Sequence, residues 1–182
     1  MPGHVFLRGE RVTHHPVEEE DLGFLHRLTN DPDVRRSLGM FSPHNIKSGE
    51  QWLEQVAEED DGVHLVVVVD DDPVGAITLD RRDHWDAVVG SVSYYLAPET
   101  QGNGYATDAL RTVCRYAFEE RAFDKLAGQV FVDNDASRRV LEKVGFREEG
   151  VHRAEGFLGG ELVDVAYLGL LPDEFEGRPP EH

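Results

Sequence analysis

The stretch from residue 88 to 132 constrains this chain more than any other, because it reads as a strand, a glycine-rich turn, a helix and a second strand. Val88 to Leu96 alternates, with Val88, Gly90, Val92, Tyr94 and Leu96 on one face and Val89, Ser91, Ser93 and Tyr95 on the other. Pro98 stops it. From Tyr105 to Arg121 the spacing becomes helical, and Ala106, Ala109, Leu110, Val113, Ala117 and Phe118 form an apolar stripe. Leu126 to Val132 returns to strand character. Asn134 or Asp135 then caps a helix over 134–144 that stops at Gly145. Helices lying between strands imply crossover connections, so the sheet is expected to be mixed rather than purely antiparallel.

The flanks extend the pattern. Arg11 to Pro16 reads as a short strand, and Glu18 to Thr29 as a helix through Leu22, Leu25 and Leu28. Asp31-Pro32 starts a short helical turn, and Ser48 to Glu59 places Trp52, Leu53 and Val56 on one side of another helix. Val63 to Val69 is a β-branched run expected of a strand buried on both faces. Asp72-Pro73 is expected to turn it into Val74 to Leu79. Phe146 to Arg153 and Leu162 to Leu171 are the last strands, with Gly159-Gly160 as the hairpin turn between them. The order is β-α-α-β-β-β-α-β-α-β-β. This is an α/β (α+β) chain with a mixed central sheet of about seven strands and flanking helices. Residues 1–175 are expected to form a single domain, and 176–182, with Pro179 and Pro180, a frayed tail.

Composition narrows the class. The 182 residues suit one domain, and 40% are hydrophobic. No run approaches the roughly 20 apolar residues needed to span a bilayer. Met1 to Glu10 lacks the apolar centre of a signal peptide, so a soluble cytoplasmic protein without a membrane partner is expected. Cys114 is the single cysteine, which excludes a disulfide framework, and its place on the helical stripe predicts a buried thiol rather than a nucleophile. The nine histidines show no ligand spacing, and adjacent His14 and His15 point to opposite faces of a strand; no metal site is expected.

The charge is unusual: 36 Asp and Glu against 18 Lys and Arg, a net −18, with lysine only at positions 47, 125 and 143. The patterned apolar runs argue against disorder. The remaining explanations are a cationic partner or concentrated salt, where the screening length falls to about 3 Å at 1 M. Strong acidity with scarce lysine is similar to proteins of salt-accumulating halophiles. Nucleic acid is excluded as a partner, since no face is basic enough to attract a phosphate backbone.

Between strand and helix lies Gln101-Gly102-Asn103-Gly104-Tyr105-Ala106. Glycines there permit a tight turn and close approach of a ligand, and the exposed N–H groups of a helix start form an anion site. Neither a Walker loop nor G-x-G-x-x-G is present. Gln101-x-x-Gly104-x-Ala106 resembles the pyrophosphate motif of the GNAT superfamily of acetyl-coenzyme-A-dependent N-acetyltransferases. The likeness extends through GNGYATDALRTVCRYAFEE, DNDASRRVLEKVGFREEG and GGELVDVAYLGLL, and covers about Leu7 to Leu171. These segments look like the branch that acetylates ribosomal-protein N-termini at alanine or serine.

The resemblance implies specific roles. The cofactor pyrophosphate would rest on the backbone of Gln101, Gly102, Asn103, Gly104, Tyr105 and Ala106. The pantetheine arm would insert between the strands 88–96 and 126–132, pairing with backbone near Tyr95, Leu96 and Ala97, where an N–H would polarise the thioester carbonyl. Asn134 matches the family's arm-contacting Asn, with a plain helix cap as the alternative. Ser137 matches a Ser that protonates the departing thiolate, or it bonds local backbone. Arg138, Arg139, Lys143 and Arg147 put four bases within ten residues; Arg138 and Lys143 are candidates for cofactor phosphates, and ion pairs with Glu142 and Glu148 are the alternative.

The proton acceptor is left open among Tyr94, Tyr95 and Asp164, with Asp80 a weaker candidate. Asp164 shares a strand face with Leu162, Ala166 and Leu168, where an acid serves as a raised-pKa base, as an anchor for the substrate amine, or as an ordinary solvent-facing edge residue. With Cys114 buried, direct attack by the amine is expected. The acceptor is expected to be a peptide or protein N-terminus, with a small amine such as an antibiotic or polyamine as the alternative. A non-catalytic acyl-coenzyme-A-binding module and a phosphate-binding regulatory domain are the remaining readings, and a homodimer is left open.

Overall fold

The structure is a computed structural model that describes residues 3–58, 61–84 and 86–176. Its strands are β1 (Leu7–Arg8), β2 (Thr13–Pro16), β3 (Val63–Val69), β4 (Asp72–His84), β5 (Ala87–Leu96), β6 (Lys125–Phe131), β7 (Arg147–Leu158) and β8 (Glu161–Leu170). Its α-helices are α1 (Leu22–Asn30), α2 (Pro32–Ser37), α3 (Ile46–Glu58), α4 (Tyr105–Glu119) and α5 (Asp135–Val144). All eight strands join one mixed sheet in the order β1-β2-β3-β4-β5-β6-β8-β7. The strand beyond the expected seven is β1, whose two residues pair with β2 and are too few to show a period.

Both faces of the sheet are covered. Leu65, Val67, Ile77, Leu79 and Val92 pack with Leu110, Val113 and Cys114 of α4 in the main core. Val66, Val68 and Ala76 are buried on the opposite face, the side on which α1, with its buried Leu22, Leu25 and Leu28, contacts α3 and β4. The β-branched run at 63–69 is thus buried on both sides, as its composition predicts. Gly90 sets the α4-side packing, since a Cβ there would come within 2.7 Å of both Leu79 and Leu126.

The turn after β3 differs from expectation. Asp72 and Pro73 already pair with Val69 and Val68, and the bend falls on Asp70 and Asp71, at φ 50° and 68°. Aspartate tolerates this left-handed region, and the bulge between Val67 and Val68 takes up the proline. β4 then continues past Leu79 to His84 and pairs with β5 along its full length. Near the N-terminus a short 3-10 turn, Glu19–Asp21, precedes α1. α3 begins before Ser48, with Asn45 and Ser48 each accepting the other's backbone N–H. Glu59 and the tail from 177 lie outside the described residues. The Gly159-Gly160 turn is as expected, with φ 63° and 91°.

The feature that positions the site is a split in the sheet. β5 pairs with β6 in parallel only over Val89–Ser91 against Lys125–Ala127. Beyond Ser91, β5 stays with β4 while β6 follows β8.

Candidate active site

Along the split, backbone groups of β5 lack a strand partner. The Ala97 N–H donates to Val74 O at 2.8 Å. By antiparallel alternation Tyr95 and Ser93 also bond toward β4, which turns the N–H and C=O of Tyr94 and the N–H of Leu96 into the gap. The Leu96 carbonyl is taken by Gln101 Nε2 at 3.1 Å. The groups able to pair with a pantetheine arm are therefore those of Tyr94 and Leu96. Of the expected stretch Tyr95 to Ala97, Leu96 faces the gap, whereas Tyr95 and Ala97 bond toward β4.

A cavity of about 1020 Å³ runs along the split and is lined from both faces of the sheet. At one end is the glycine turn. Gly102 and Gly104 have φ of 78° and 82°, the left-handed conformation that explains glycine at both. Gly104 is the N-cap of α4, and no side chain caps that helix. The N–H groups of Tyr105, Ala106 and Thr107 thus have no intrahelical acceptor, and all three residues line the cavity. This suits a pyrophosphate, with the positive end of the helix dipole behind it. Asn103 faces elsewhere: its amide donates to the carbonyls of Thr100 and Gln101.

α5 borders the cavity next. Asn134 caps it by accepting from the Ser137 N–H at 3.1 Å, and both residues line the cavity. The Tyr94 hydroxyl lies 2.9 Å from Ser137 Oγ, so Tyr94 and Ser137 form a hydroxyl pair beside the split. Burial pushes both Tyr94 and Tyr95 up to about 12, with the Ser137 bond opposing it at Tyr94. With pKa values raised this far, neither phenol ionises near neutrality. Arg138 does not serve the cavity: its guanidinium is held by Glu142 and Glu148, and that pairing raises its pKa. Arg147 is paired with Glu174. Arg139 and Lys143 line the cavity instead.

The far end lies on the sheet face that carries Thr78, Asp80, Ser91 and Ser93. Asp80 is in the cavity, with His64 Nε2 at 3.6 Å from its carboxylate. Asp164 is not brought there. It accepts from the Ala154 N–H at 2.8 Å, and that bond pins a bulge in β7. His152 pairs with Val165 and Gly156 with Val163, so three residues of β7 stand opposite Asp164, and Ala154 takes φ 54°. The bulge turns Glu155 into the cavity. Its carboxylate is bonded by the Tyr167 hydroxyl and by His152 Nδ1 at 2.9 Å, and these bonds lower its pKa. The His152 and Tyr167 rings stack with centroids 4.0 Å apart.

Glu155 is the residue that sequence reading missed. The bulge breaks the period of two, so the strand's alternation says nothing about where Glu155 points. The available signal was Gly156, a strand glycine directly after an acid. A Cβ there would meet Phe131 at 2.6 Å, so the glycine lets β7 close against the end of β6. Cys114 is fully buried, and burial pushes its thiol pKa up, which leaves it inert. No cluster of potential metal ligands occurs among the described residues. No helix among them is long and apolar enough to cross a membrane.

The family model for the acetyltransferase (GNAT) domain matches residues 11–147. The chain is a GNAT acetyltransferase. It is 31% identical over 176 residues to the SPbeta prophage-derived uncharacterized N-acetyltransferase YokL of Bacillus subtilis, covering 94% of this chain and 96% of that one. It is 30% identical over 177 residues to YdaF of the same organism, which is named provisionally as a ribosomal N-acetyltransferase; the match covers 93% of this chain and 96% of YdaF. The fold is shared with the crystal structure of spermidine N-acetyltransferase from Vibrio cholerae in complex with CoA and spermine. The TM-score is 0.83 at 23% identity, over 90% of this chain and 97% of that one. This GNAT chain is thus an acyltransferase enzyme.

Proposed function

We propose that this GNAT enzyme moves the acetyl group of acetyl-coenzyme A to a primary amine by direct attack, with Glu155 as the proton acceptor. The observation that carries the reading is one cavity through the sheet, with the uncapped start of α4 at one end and Glu155 at the other. The pyrophosphate rests on the α4 N–H groups, and the arm pairs with the freed backbone of Tyr94 and Leu96. An N–H of this stretch also polarises the thioester carbonyl. The amine loses its proton to Glu155, its nitrogen bonds the acetyl carbon, and the carbon–sulfur bond breaks. Ser137 gives its proton to the sulfur while the Tyr94 hydroxyl holds it in place, and the proton taken by Glu155 returns to Ser137 through solvent. With Cys114 inert, no acetyl-enzyme forms.

The acceptor we infer is a peptide or protein N-terminus, supported by the likeness to ribosomal-type sequences. A small cationic amine is the second reading, and Asp33, Asp80 and Glu155 in the cavity wall favour it. The acidity of the chain fits a cytoplasm rich in salt.

A thiol-release assay over peptides and small amines, at low and high potassium chloride, tests the proposal. Replacing Glu155→Gln is expected to lower kcat by about 10²–10⁴-fold. Full activity in that variant would remove Glu155 from the reaction. Coenzyme A binding without thiol release on any amine would favour the non-catalytic module. Highest activity in dilute buffer would refute the salt assignment.

A further inference from the structure

The loop read as the pyrophosphate site is held from within by the Asn103 and Gln101 amides, which bond the carbonyls of Thr100, Gln101 and Leu96, and these bonds leave its helix start uncapped. It contains two glycines in the left-handed region, and its helix has no side-chain cap. That keeps N–H groups free for a ligand, but glycine-rich backbone loses much entropy when it is ordered. A group from outside the loop that bonds its Asn103 carbonyl adds to this hold.

The turn between β1 and β2 supplies one. Arg11 Nη1 donates to the Asn103 carbonyl, in the middle of the loop and 92 residues away. Its guanidinium carbon stands 5.0 Å over the Tyr105 ring. Gly104 lies beside it, and a Cβ there would be in ordinary contact with Nη1 at 3.5 Å. Arg11 is itself anchored. Asp108, in the first turn of α4 and only 6% exposed, accepts from the N–H groups of Glu10 at 3.1 Å, Arg11 at 2.7 Å and Val12 at 3.0 Å. Gly9 makes the approach possible, because a Cβ there would sit 2.5 Å from Asp108 Oδ2. Asp108 thus faces away from the ligand side of the helix start, with three dipoles against its charge.

We propose that Arg11 is a positioning residue for the cofactor: held by Asp108, it fixes the loop from Asn103 to Tyr105 so that the α4 N–H groups converge on the pyrophosphate. This rests on the reading of that loop as the pyrophosphate site. The role belongs to the phosphate end of the cofactor and not to the chemistry at the thioester.

Steady-state kinetics with two acetyl donors separate these ends. Acetyl-coenzyme A carries the pyrophosphate, whereas S-acetylpantetheine carries the arm and thioester without phosphates. Arg11→Ala is expected to raise KM for acetyl-coenzyme A roughly tenfold, the scale of one lost charge-assisted hydrogen bond, with kcat within about twofold. S-acetylpantetheine should react as well with the variant as with the original protein. Arg11→Lys should recover part of the loss, because an ammonium donates to the Asn103 carbonyl but cannot lie flat over Tyr105. An unchanged KM for acetyl-coenzyme A, or an equal loss with both donors, overturns the proposal. If the unmodified protein itself gains nothing from the nucleotide half, the pyrophosphate reading fails and this one with it. If that gain is present and Arg11→Ala keeps it, only the positioning role fails.

Discussion

His14 should make the protein acid-sensitive by an amount that can be worked out. It lies on β2 opposite Val67, fully buried beside α4, and among the described residues neither ring nitrogen has a partner at hydrogen-bond geometry, the Ala109 and Leu7 backbones being its nearest polar neighbours. Burial pushes its pKa from 6.5 down to about 4; His15 adds to this, while Asp108 and the backbones of Ala109 and Leu7 oppose it without reversing it. The folded state therefore holds the ring neutral, and the unfolded state takes up the proton first. Between pH 6.5 and 4 the unfolded chain binds more protons, so stability falls as pH falls through that window. With these two values the loss is about 2 kcal/mol at pH 5 and about 3 kcal/mol at pH 4, relative to pH 7.5. The assay is urea denaturation of the unmodified protein and His14→Leu across pH 7.5 to 4, in constant concentrated potassium chloride to screen the other charges. Leucine removes the titration and leaves no ring nitrogen without a partner. The variant's advantage should grow by about 2 kcal/mol from pH 7.5 to 5. A difference that stays flat over that range would refute the assignment of a buried neutral imidazole.

Two further outcomes follow from the site. Tyr94→Phe and Ser137→Ala should each lower kcat by roughly 10–100-fold with KM for acetyl-coenzyme A nearly unchanged, because each removes a donor needed only as the sulfur departs; rapid-quench measurement of thiol release reads this. Asp164→Ala removes the bond that pins the bulge, so kcat should fall toward that of Glu155→Gln while stability drops by about 1 kcal/mol in urea denaturation.

The parts of the fold that depend on local period were legible in the sequence. α4 shows its stripe because an apolar residue recurs on one helical face, and the strands at 63–69 and 88–96 show theirs by composition and alternation. The turn after β3 was misplaced because proline is a strong turn signal, although a bulge tolerates it inside a strand. The glycine turn before α4 was legible because its residues are contiguous in the chain. The end of the cavity that holds Glu155 was not, because it is assembled by bonds between distant residues. Asp164 appears as an acid on an apolar face, yet its partner is the backbone of Ala154 and its effect is to aim Glu155. Arg11 likewise acquires meaning only when the sheet brings it to Asn103. The bases of α5 divide the same way, since the choice between ion pair and cavity for Arg138 and Arg139 depends on where Glu148 lies across from the helix.

The charge of the chain bears on turnover as well as on solvent. Under the proposed reaction a protein of net charge −18 holds a polyanionic cofactor, and the glycine turn proposed for its phosphates keeps negative charge away. Residues 101–107 carry none, and the Asp108 carboxylate is occupied by three backbone N–H groups. Arg139 and Lys143 add positive charge to the cavity from α5. Asp33 of α2, Asp80 of β4 and Glu155 of β7 add negative charge to its wall. Under the proposed reaction an ammonium is drawn to these carboxylates, and acetylation converts it to a neutral amide. The product loses the attraction that brought the substrate in, so the same acids that favour binding favour release. That asymmetry needs carboxylates close enough to be felt through salt, where attraction beyond a few ångströms is screened. Asp33, Asp80 and Glu155 meet the condition by lining the cavity itself, whereas the acids spread over the outer surface do not.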